Sequence, residues 1–213
     1  GGGFTACASP QAYVGLADGS HTFEVRAIDA AGNVDPTPAP FTWVVDTTAP
    51  DTTITATPAD PSNSANATLS FTGIDGGSGV TSYECQLDGG GFAPCASPQT
   101  YTGLTDGSHT FAVRAVDAAS NVDPTPASFT WVVDTTGPDT TITANPADPS
   151  NSAGASFSFT GSDIGGSGVA SFECQLDGGG FTACASPQAY VGLTDGSHTF
   201  EVRAIDVAGN VDP

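Results

Sequence analysis

Lysine and methionine are absent from this sequence of 213 residues, and only three arginines stand against 23 aspartates and glutamates. The formal net charge is therefore −20 at pH 7. A protein that binds nucleic acid neutralises phosphates with clustered cations, so this composition argues against nucleic acid as a partner. Attraction to an anionic lipid surface is excluded for the same reason.

Long apolar runs are also missing, because the longest have three or four residues, as in Trp43-Val44-Val45. No stretch is therefore predicted to span a bilayer. No charged and then apolar segment opens the sequence, so no signal peptide is visible. We expect the chain to begin inside a larger unit.

The sequence instead repeats itself. Gly-Gly-Gly-Phe begins at positions 1, 89 and 178, and so recurs after 88 and then 89 residues. The additional residue is Ile164, and an insertion tolerated there indicates a surface loop. A repeat of this length fits one small sandwich domain. We expect residues 1–48 to be the C-terminal half of an immunoglobulin-like repeat, 49–136 a complete repeat, and 137–213 a repeat that lacks its last strand.

Short alternating segments separated by turn residues predict seven strands in the complete repeat. These are strands A, B, C, C′, E, F and G at residues 52–56, 69–72, 83–88, 92–95, 99–104, 111–115 and 129–133. No stretch has helical periodicity of useful length. The predicted fold is all-β: tandem seven-stranded antiparallel sandwiches, arranged as beads on a string.

Three segments carry a resemblance to a known family. Tyr101-Thr-Gly-Leu-Thr-Asp-Gly-Ser-His-Thr-Phe-Ala-Val-Arg-Ala-Val-Asp resembles the E–F region of fibronectin type III domains and related bacterial immunoglobulin-like repeats. With Tyr83-Glu-Cys-Gln-Leu-Asp-Gly-Gly and Asp29-Ala-Ala-Gly-Asn-Val-Asp, the whole chain resembles the tandem repeats of large bacterial extracellular proteins. One departure is His109, which lies near the place of the corner tyrosine that opens strand F. The resemblance implies a spacer, adhesin or fibre role and no catalytic residues.

The spacing of two cysteines predicts a disulfide across the C–C′ hairpin. With Gly89–Gly91 as a three-residue loop, Asp88 pairs with Phe92 and Cys85 lies opposite Cys95. This register brings the two sulfurs together. Closing so short a loop stabilises the fold by about 2.5–3 kcal/mol on the chain-entropy account.

The third repeat predicts the same bond between Cys174 and Cys184. Cys7 aligns with Cys95, so its partner is expected outside the chain. Zinc binding is disfavoured because each repeat lacks two further ligands. Disulfides predict an oxidising compartment, either extracellular or at the cell surface.

Each histidine follows an Asp-Gly-Ser turn, at His21, His109 and His198. A hydrolytic triad assembles its groups from separate segments around a cleft, and neighbours in one tight turn cannot adopt that geometry. The glycine-rich loops 76–79 and 89–91 lack the following helix and lysine of a phosphate-binding loop. We therefore predict that the chain is not an enzyme.

Acidic residues are expected to gather where one module follows another, because the B–C and F–G loops lie at the end where the chain enters a sandwich. Asp18 and Asp106 approach from the preceding module. Ca²⁺ takes oxygen ligands from aspartate, asparagine and backbone carbonyls, and would offset the repulsion and stiffen the joint. The alternative is that these residues are simply solvated turn formers. The candidate calcium ligands are Asp46, Asp51, Asp75, Asp117, Asn121 and Asp123 in the first joint, and Asp134, Asp139, Asp163, Asp206, Asn210 and Asp212 in the second.

The sequence thus predicts a segment of an extracellular, non-enzymatic array that forms a stalk or fibre, with copies of itself or neighbouring repeats as partners. A neighbouring chain that supplies the last strand of 137–213 is an alternative to a plain cut from a longer array. Other functions remain open: an adhesin that binds a ligand or glycan through Tyr13, Tyr101 and Tyr190, or an accessory module of a secreted hydrolase. Asn66 matches the N-glycosylation pattern.

Overall fold

The computed structural model describes residues 3–213, and every regular element in that range is a β-strand. Among these residues, no helix has the length and apolar character needed to cross a membrane. The first strands are β1 (Gly19–Val25) and β2 (Ala39–Val45), which form one antiparallel pair.

Seven strands follow in the middle of the chain. They are β3 (Asp51–Ala56), β4 (Ala67–Ile74), β5 (Val80–Leu87), β6 (Ala93–Cys95), β7 (Gln99–Tyr101), β8 (Gly107–Asp117) and β9 (Ala127–Val133). They form a three-stranded sheet in the order β3-β4-β7 and a four-stranded sheet in the order β6-β5-β8-β9, with antiparallel pairing throughout. This is the predicted seven-stranded sandwich, and the all-β fold class is confirmed.

The third repeat has six strands with the same pairings. They are β10 (Asp139–Ala144), β11 (Ala155–Ser162), β12 (Val169–Leu176), β13 (Thr182–Cys184), β14 (Gln188–Tyr190) and β15 (Phe200–Asp206). Their sheets run β10-β11-β14 and β13-β12-β15. We refer below to residues 51–133 as the middle module and to residues 139–213 as the third module.

The core of the middle module follows from the two-residue period of its strands. Leu69 and Phe71 on β4 face Phe111 and Val113 on β8, and Trp131 of β9 closes the cluster. All five are buried. Burying each such side chain contributes about 1.5–3 kcal/mol to stability. This gain offsets the conformational entropy that the chain loses on folding.

A parallel bridge that the sequence did not indicate holds the outer edge of β9. Ser62 donates its backbone N–H to the Val132 carbonyl, and Asp134 donates its backbone N–H to the Ser62 carbonyl, each at 2.9 Å. The segment around Ser62 thus covers an edge that would otherwise expose unpaired backbone groups.

The predicted register of the C–C′ hairpin is wrong by two residues. Cys85 lies opposite Ala93, and Cys95 lies opposite Tyr83. The reason is the turn: Asp88 and Gly89 both have left-handed φ angles, and the Gly90 N–H donates to the Leu87 carbonyl at 3.0 Å. Two residues with positive φ make a tight hairpin turn, for which Asp-Gly is a favoured pair, so the turn is not the predicted Gly89–Gly91.

Candidate functional site at the joints between modules

Two linkers join the modules: residues 46–50 between β2 and β3, and residues 134–138 between β9 and β10. Each linker is hydrogen-bonded to the module before it. Asp106, in the turn before β8, accepts hydrogen bonds from the Thr135 N–H at 3.0 Å, the Thr135 hydroxyl at 2.8 Å and the Thr136 hydroxyl at 2.9 Å. These bonds, the Thr135 hydroxyl first, hold the pKa of Asp106 below its ordinary 3.8. Asp18 binds Thr47 and Thr48 in the same way at the first joint.

Each linker is also hydrogen-bonded to the module after it. Asn121, in the loop after β8, donates its amide to the Asp46 carbonyl at 3.0 Å, and the Ser78 N–H donates to the Asp46 carboxylate at 2.6 Å. At the second joint Asn210 donates to the Asp134 carbonyl at 2.8 Å. Each linker is therefore hydrogen-bonded to both of the modules that it joins.

Three carboxylates meet at each joint. Asp46, Asp75 and Asp117 place carboxylate oxygens within 4.8 Å of one another, and Asp134, Asp163 and Asp206 repeat the arrangement. We call each set the joint trio. One member comes from the linker, one from the B–C loop and one from the end of strand F, so both module ends contribute.

Much of the charge of the first trio is shielded from water. Asp117 is 2% exposed and Asp46 is also buried. Hydrogen bonding by Ser78, its side chain first, holds the pKa of Asp46 below 3.8. Asp117 accepts from the Asn121 N–H and amide, each at 2.7 Å, whereas Asp75 Oδ1 is buried and has no hydrogen-bond partner.

The protein's cations are engaged elsewhere. Arg114 donates to Glu84 at 2.7 Å and lies over the Phe92 ring at 4.1 Å. Arg203 repeats both contacts in the third module, and Arg26 lies over the Phe4 ring. Lysine is absent, so the sequence offers no other permanently cationic side chain to either trio.

Four of the six predicted groups meet at each joint, namely the joint trio and the asparagine that donates to it. Asp51 and Asp139 are exposed at the starts of β3 and β10, and neither belongs to a trio. Asp123 is buried but caps Thr125 through one oxygen, and its counterpart Asp212 is not in a trio either. Asn121 and Asn210 do lie at the joints, where their amides act as donors to carbonyl and carboxylate oxygens. Calcium binding by the predicted set of six groups at each joint stays a prediction.

Sequence reasoning missed the glycine that makes room for the first trio. A Cβ on Gly77 would lie 2.5 Å from the Asp46 carboxyl carbon, which is closer than atoms pack. A Cβ on the neighbouring Gly76 would have no other atom within 4 Å. The Gly-Gly-Ser-Gly run indicated only a loop, because which glycine faces Asp46 depends on how the two modules dock.

The histidines bind within their own module. His109 donates from Nδ1 to the Asp88 carboxylate and from Nε2 to the Thr105 carbonyl, each at 2.8 Å, and its ring lies 5.8 Å from that of Trp131. His198 makes the matching pair of bonds in the third module. These bonds hold each histidine between the turn that precedes it and an aspartate of the C–C′ hairpin. Sequence reasoning did not connect His109 to Asp88.

Both predicted disulfides are formed, with sulfur–sulfur distances of 2.00 and 2.03 Å. Cys85 and Cys95 lie diagonally across the hairpin, so the disulfide forms although the observed register differs from the predicted one. Cys7 is exposed and carries no disulfide within residues 3–213.

Two of the three tyrosines proposed for ligand binding pack within their own modules. Tyr101 and Tyr190 are half-buried and pack edge-on against Phe111 and Phe200, at 6.1 and 6.0 Å. Tyr13 is exposed in the first part of the chain. Asn66 is exposed just before β4, and its glycosylation stays a prediction.

The chain is similar to parts of three curated proteins. It is 35% identical to exoglucanase B and 34% identical to endoglucanase B, both of Cellulomonas fimi, over 90% of this chain in each case. It is 39% identical to chitinase A1 of Niallia circulans over 48% of this chain. The chain spans about a fifth of the two glucanases, at 19% and 20%, and 16% of the chitinase. No family model matches it.

Two solved structures are also similar. The fibronectin(III)-like modules of Clostridium thermocellum CbhA superpose with a TM-score of 0.46 at 18% identity, covering 76% of this chain and 90% of that one. A tetra-tandem repeat from the extending region of a large adhesion protein gives 0.32 at 23% identity, covering 92% and 55%. Both superpositions are loose, so the fold follows from the strand order of this chain. The shared strand orders of the middle and third modules show tandem β-sandwich modules, in agreement with the resemblance of the sequence to fibronectin type III-like repeats.

Proposed function

We propose that the chain is a non-catalytic extracellular spacer, a segment of a tandem array that holds parts of a larger assembly apart as a semi-rigid stalk. The observation that carries this proposal is that each linker is hydrogen-bonded to both modules that it joins. Asp106 binds the second linker from one side and Asn210 binds it from the other. The two disulfides support an extracellular setting, because such bonds persist in oxidising compartments.

Residual dipolar couplings test the rigidity directly. Alignment tensors are measured separately for the middle module and the third module of the intact chain. We expect the two tensors to coincide, because a bound linker makes the two modules tumble as one body. Tensors of clearly different magnitude would show independent motion and would overturn the stalk.

A second candidate is a spacer within a secreted polysaccharide hydrolase. The observation that favours it is the similarity to two glucanases and a chitinase, of each of which the chain spans only a small part. Binding assays on cellulose, on chitin and on a glycan array separate a spacer from a ligand-binding module. A spacer should be retained on none of them, and specific retention would favour the adhesin or carbohydrate-binding alternative.

We further propose that each joint trio binds Ca²⁺. Three carboxylates converge, two of the first trio are buried, and Asp75 Oδ1 lacks a partner, so oxygen ligands are available that the protein leaves without a cation. Calcium prefers such ligands and takes further oxygens from backbone carbonyls or water. Its role there would be to hold the linker and both loops together, which supports the stalk.

Calcium titration of the melting temperature tests this site. Free Ca²⁺ at about 100 times its Kd should stabilise the joint by about 2.7 kcal/mol, and EDTA should reverse the gain. Asp75→Asn combined with Asp163→Asn should abolish the response and also raise the melting temperature of the calcium-free protein, because each change removes one repelling charge.

The matched control is Asp51→Asn combined with Asp139→Asn, which removes the same charge from exposed positions outside the trios. This control should keep the full calcium response. An unchanged melting temperature in calcium, or an equal response of both double variants, would contradict the site.

A further inference from the structure

The turn that binds the second linker, residues 134–138, is itself held by a histidine. Thr105 immediately precedes Asp106, and the Thr105 carbonyl accepts a hydrogen bond from His109 Nε2 at 2.8 Å. That carbonyl belongs to the planar peptide group whose nitrogen is the backbone nitrogen of Asp106. The His109 ring therefore fixes the orientation of the residue whose carboxylate binds Thr135 and Thr136.

The ring is anchored on its other side by the C–C′ hairpin. His109 Nδ1 donates to Asp88 Oδ2 at 2.8 Å, and the Thr110 N–H donates to Asp88 Oδ1 at the same distance. The ring packs against the Trp131 indole, with the two centroids 5.8 Å apart, and His109 is only 7% exposed. The imidazole thus has a fixed place between two acceptors, with little access for water to replace either bond.

The contact between a histidine and the residue before the linker-binding aspartate also occurs at the first joint. His21 Nε2 lies 2.7 Å from the Ala17 carbonyl. Ala17 immediately precedes Asp18, which binds Thr47 and Thr48 of the first linker. The histidine is therefore placed at the joint in the same way in two successive modules.

Both partners of His109 are acceptors, so only the imidazolium form makes both bonds. A neutral imidazole has one N–H and one nitrogen lone pair. A hydrogen bond to the ionised Asp88 is about twice as strong as one to a neutral carbonyl, so the remaining proton should stay on Nδ1. The Nε2 lone pair would then face the Thr105 carbonyl oxygen. Because these two groups repel each other, the peptide group between Thr105 and Asp106 would be released.

The groups around the ring favour its charged form. The Asp88 carboxylate faces it from the hairpin, Asp106 lies in the turn that it binds, and the side chain that packs on it from β9 is the uncharged Trp131. The Thr105 carbonyl raises the pKa of His109 above 6.5, burial lowers it, and Asp88 raises it again. The pKa of Asp106 is held below 3.8 by its hydrogen bonds from the linker threonines, so Asp106 stays ionised while His109 titrates.

We propose that protonated His109 positions Asp106 to bind the second linker, so that loss of this proton loosens the joint between the middle and third modules. This inference rests on the proposed stalk and adds a control of its stiffness by pH. The joint is stiff below the ordinary histidine pKa of 6.5 and loosens as the pH rises through the raised pKa of folded His109.

Electron–electron distance measurements test this in the full chain, with Cys7→Ser and spin labels at positions 100 and 189. These positions lie on β7 and β14, on either side of the second joint. The distance distribution should be narrow below pH 6.5 and broaden at higher pH. Nitrogen NMR of the His109 imidazole should show Nε2 losing its proton over the same range. A distribution that stays narrow throughout would overturn the pH response alone, whereas one that is broad at every pH would overturn the stalk as well.

His109→Gln removes the titrating group, and His198→Gln is the matched control. His198 makes the same two bonds, to Asp177 and Thr194, in the third module rather than beside the second linker. The distance distribution of His109→Gln should not change with pH, and that of His198→Gln should broaden as it does without the change. Trp131 fluorescence checks that both variants keep the middle module folded. The same broadening in both variants would contradict the proposal.

Asp88→Asn provides a second variant, in which His109 is retained. Asp88 has a φ angle of 51°, and asparagine tolerates this left-handed conformation. Loss of the carboxylate should lower the pKa of His109, so the NMR titration and the broadening should move to lower pH together. A titration that moves while the broadening stays in place would show that His109 does not set the stiffness of the joint.

Discussion

At the residue scale, His109 and His198 each bind two acceptors within their own module, so their protonation affects the stability of the fold. Both ring nitrogens of His109 face acceptors, Asp88 and Thr105, so the imidazolium form satisfies every bond. The Thr105 carbonyl first, and then the Asp88 carboxylate, raise the pKa of His109 above 6.5, against burial, which lowers it. The carboxylate of Asp177 and then the Thr194 carbonyl raise the pKa of His198.

This shift makes stability depend on pH with a definite sign. A histidine whose pKa is raised by folding contributes fully below its unfolded-state pKa, and the contribution is lost as pH rises through the folded-state pKa. We therefore expect the urea midpoint of the middle module to fall as the pH rises from the ordinary histidine pKa of 6.5 through the raised pKa of folded His109, and His109→Gln to flatten that fall. Denaturation followed by Trp131 fluorescence measures it. An unchanged pH profile in the variant would show that His109 is not the group responsible.

The space beside Asp46 gives a second prediction at this scale. Gly77→Ala forces a methyl group against the Asp46 carboxyl group, which is held by Ser78. We expect a loss of about 1–3 kcal/mol, typical of overpacking, in the unfolding free energy of the chain. Gly76→Ala is the control, since nothing lies within 4 Å of its added methyl group. Equal melting temperatures for the two variants would mean that the carboxyl group simply moves aside.

At the scale of elements, the C–C′ hairpin depends on both its turn and its disulfide. β6 has only three residues, and such a short strand contributes few ladder bonds. The Cys85–Cys95 bond therefore supplies much of the hairpin's stability by restricting the unfolded chain.

Cys85→Ala combined with Cys95→Ala should lower the unfolding free energy of the middle module by about 2.5–3 kcal/mol. Urea denaturation followed by Trp131 fluorescence, in a Trp43→Phe background, measures this module. The same pair of changes at Cys174 and Cys184 should leave the Trp131 transition nearly unchanged. A loss below about 1 kcal/mol would mean that the hairpin is already ordered in the unfolded chain.

At the scale of the whole molecule, the joints decide whether the chain behaves as loose beads or as a rod. Asp106 ties the second linker to the middle module through three hydrogen bonds, all to threonine groups in the linker. The third module holds the same linker through Asn210 and Ser167. Removing either set should free one side of the joint.

Asp106→Asn removes the negative charge that these donors bind, and we expect a broader spread of angles between the middle and third modules. Electron–electron distance measurements between spin labels at positions 100 and 189, on matching strands of the two modules, report that spread. Asp139→Asn, which removes a charge from the same joint outside the clamp, should leave the distance distribution narrow. Equal distributions would mean that the third module alone holds the linker.

Strand positions were predictable because their cause is local. Alternation in Leu69-Ser-Phe-Thr and in Phe129-Thr-Trp-Val-Val follows from one buried and one exposed face, and both segments are strands. The hairpin register was not predicted correctly, because the Asp88-Gly89 turn competes with the longer glycine run. The bridge at Ser62 and the space at Gly77 depend on partners 71 and 31 residues away, Val133 and Asp46, and no local pattern indicates them.

The amino-acid order by itself determined the module length, the all-β class, the cysteine pairs and the acidic character of the joints. Each of these follows from the spacing of residues along the chain or from its composition. Tertiary structure alone decided which of the six candidate groups meet at each joint and how the linker is held. The reason is that a carboxylate's neighbours are set by how two sandwiches dock end to end, and that docking is governed by contacts between residues far apart in the chain.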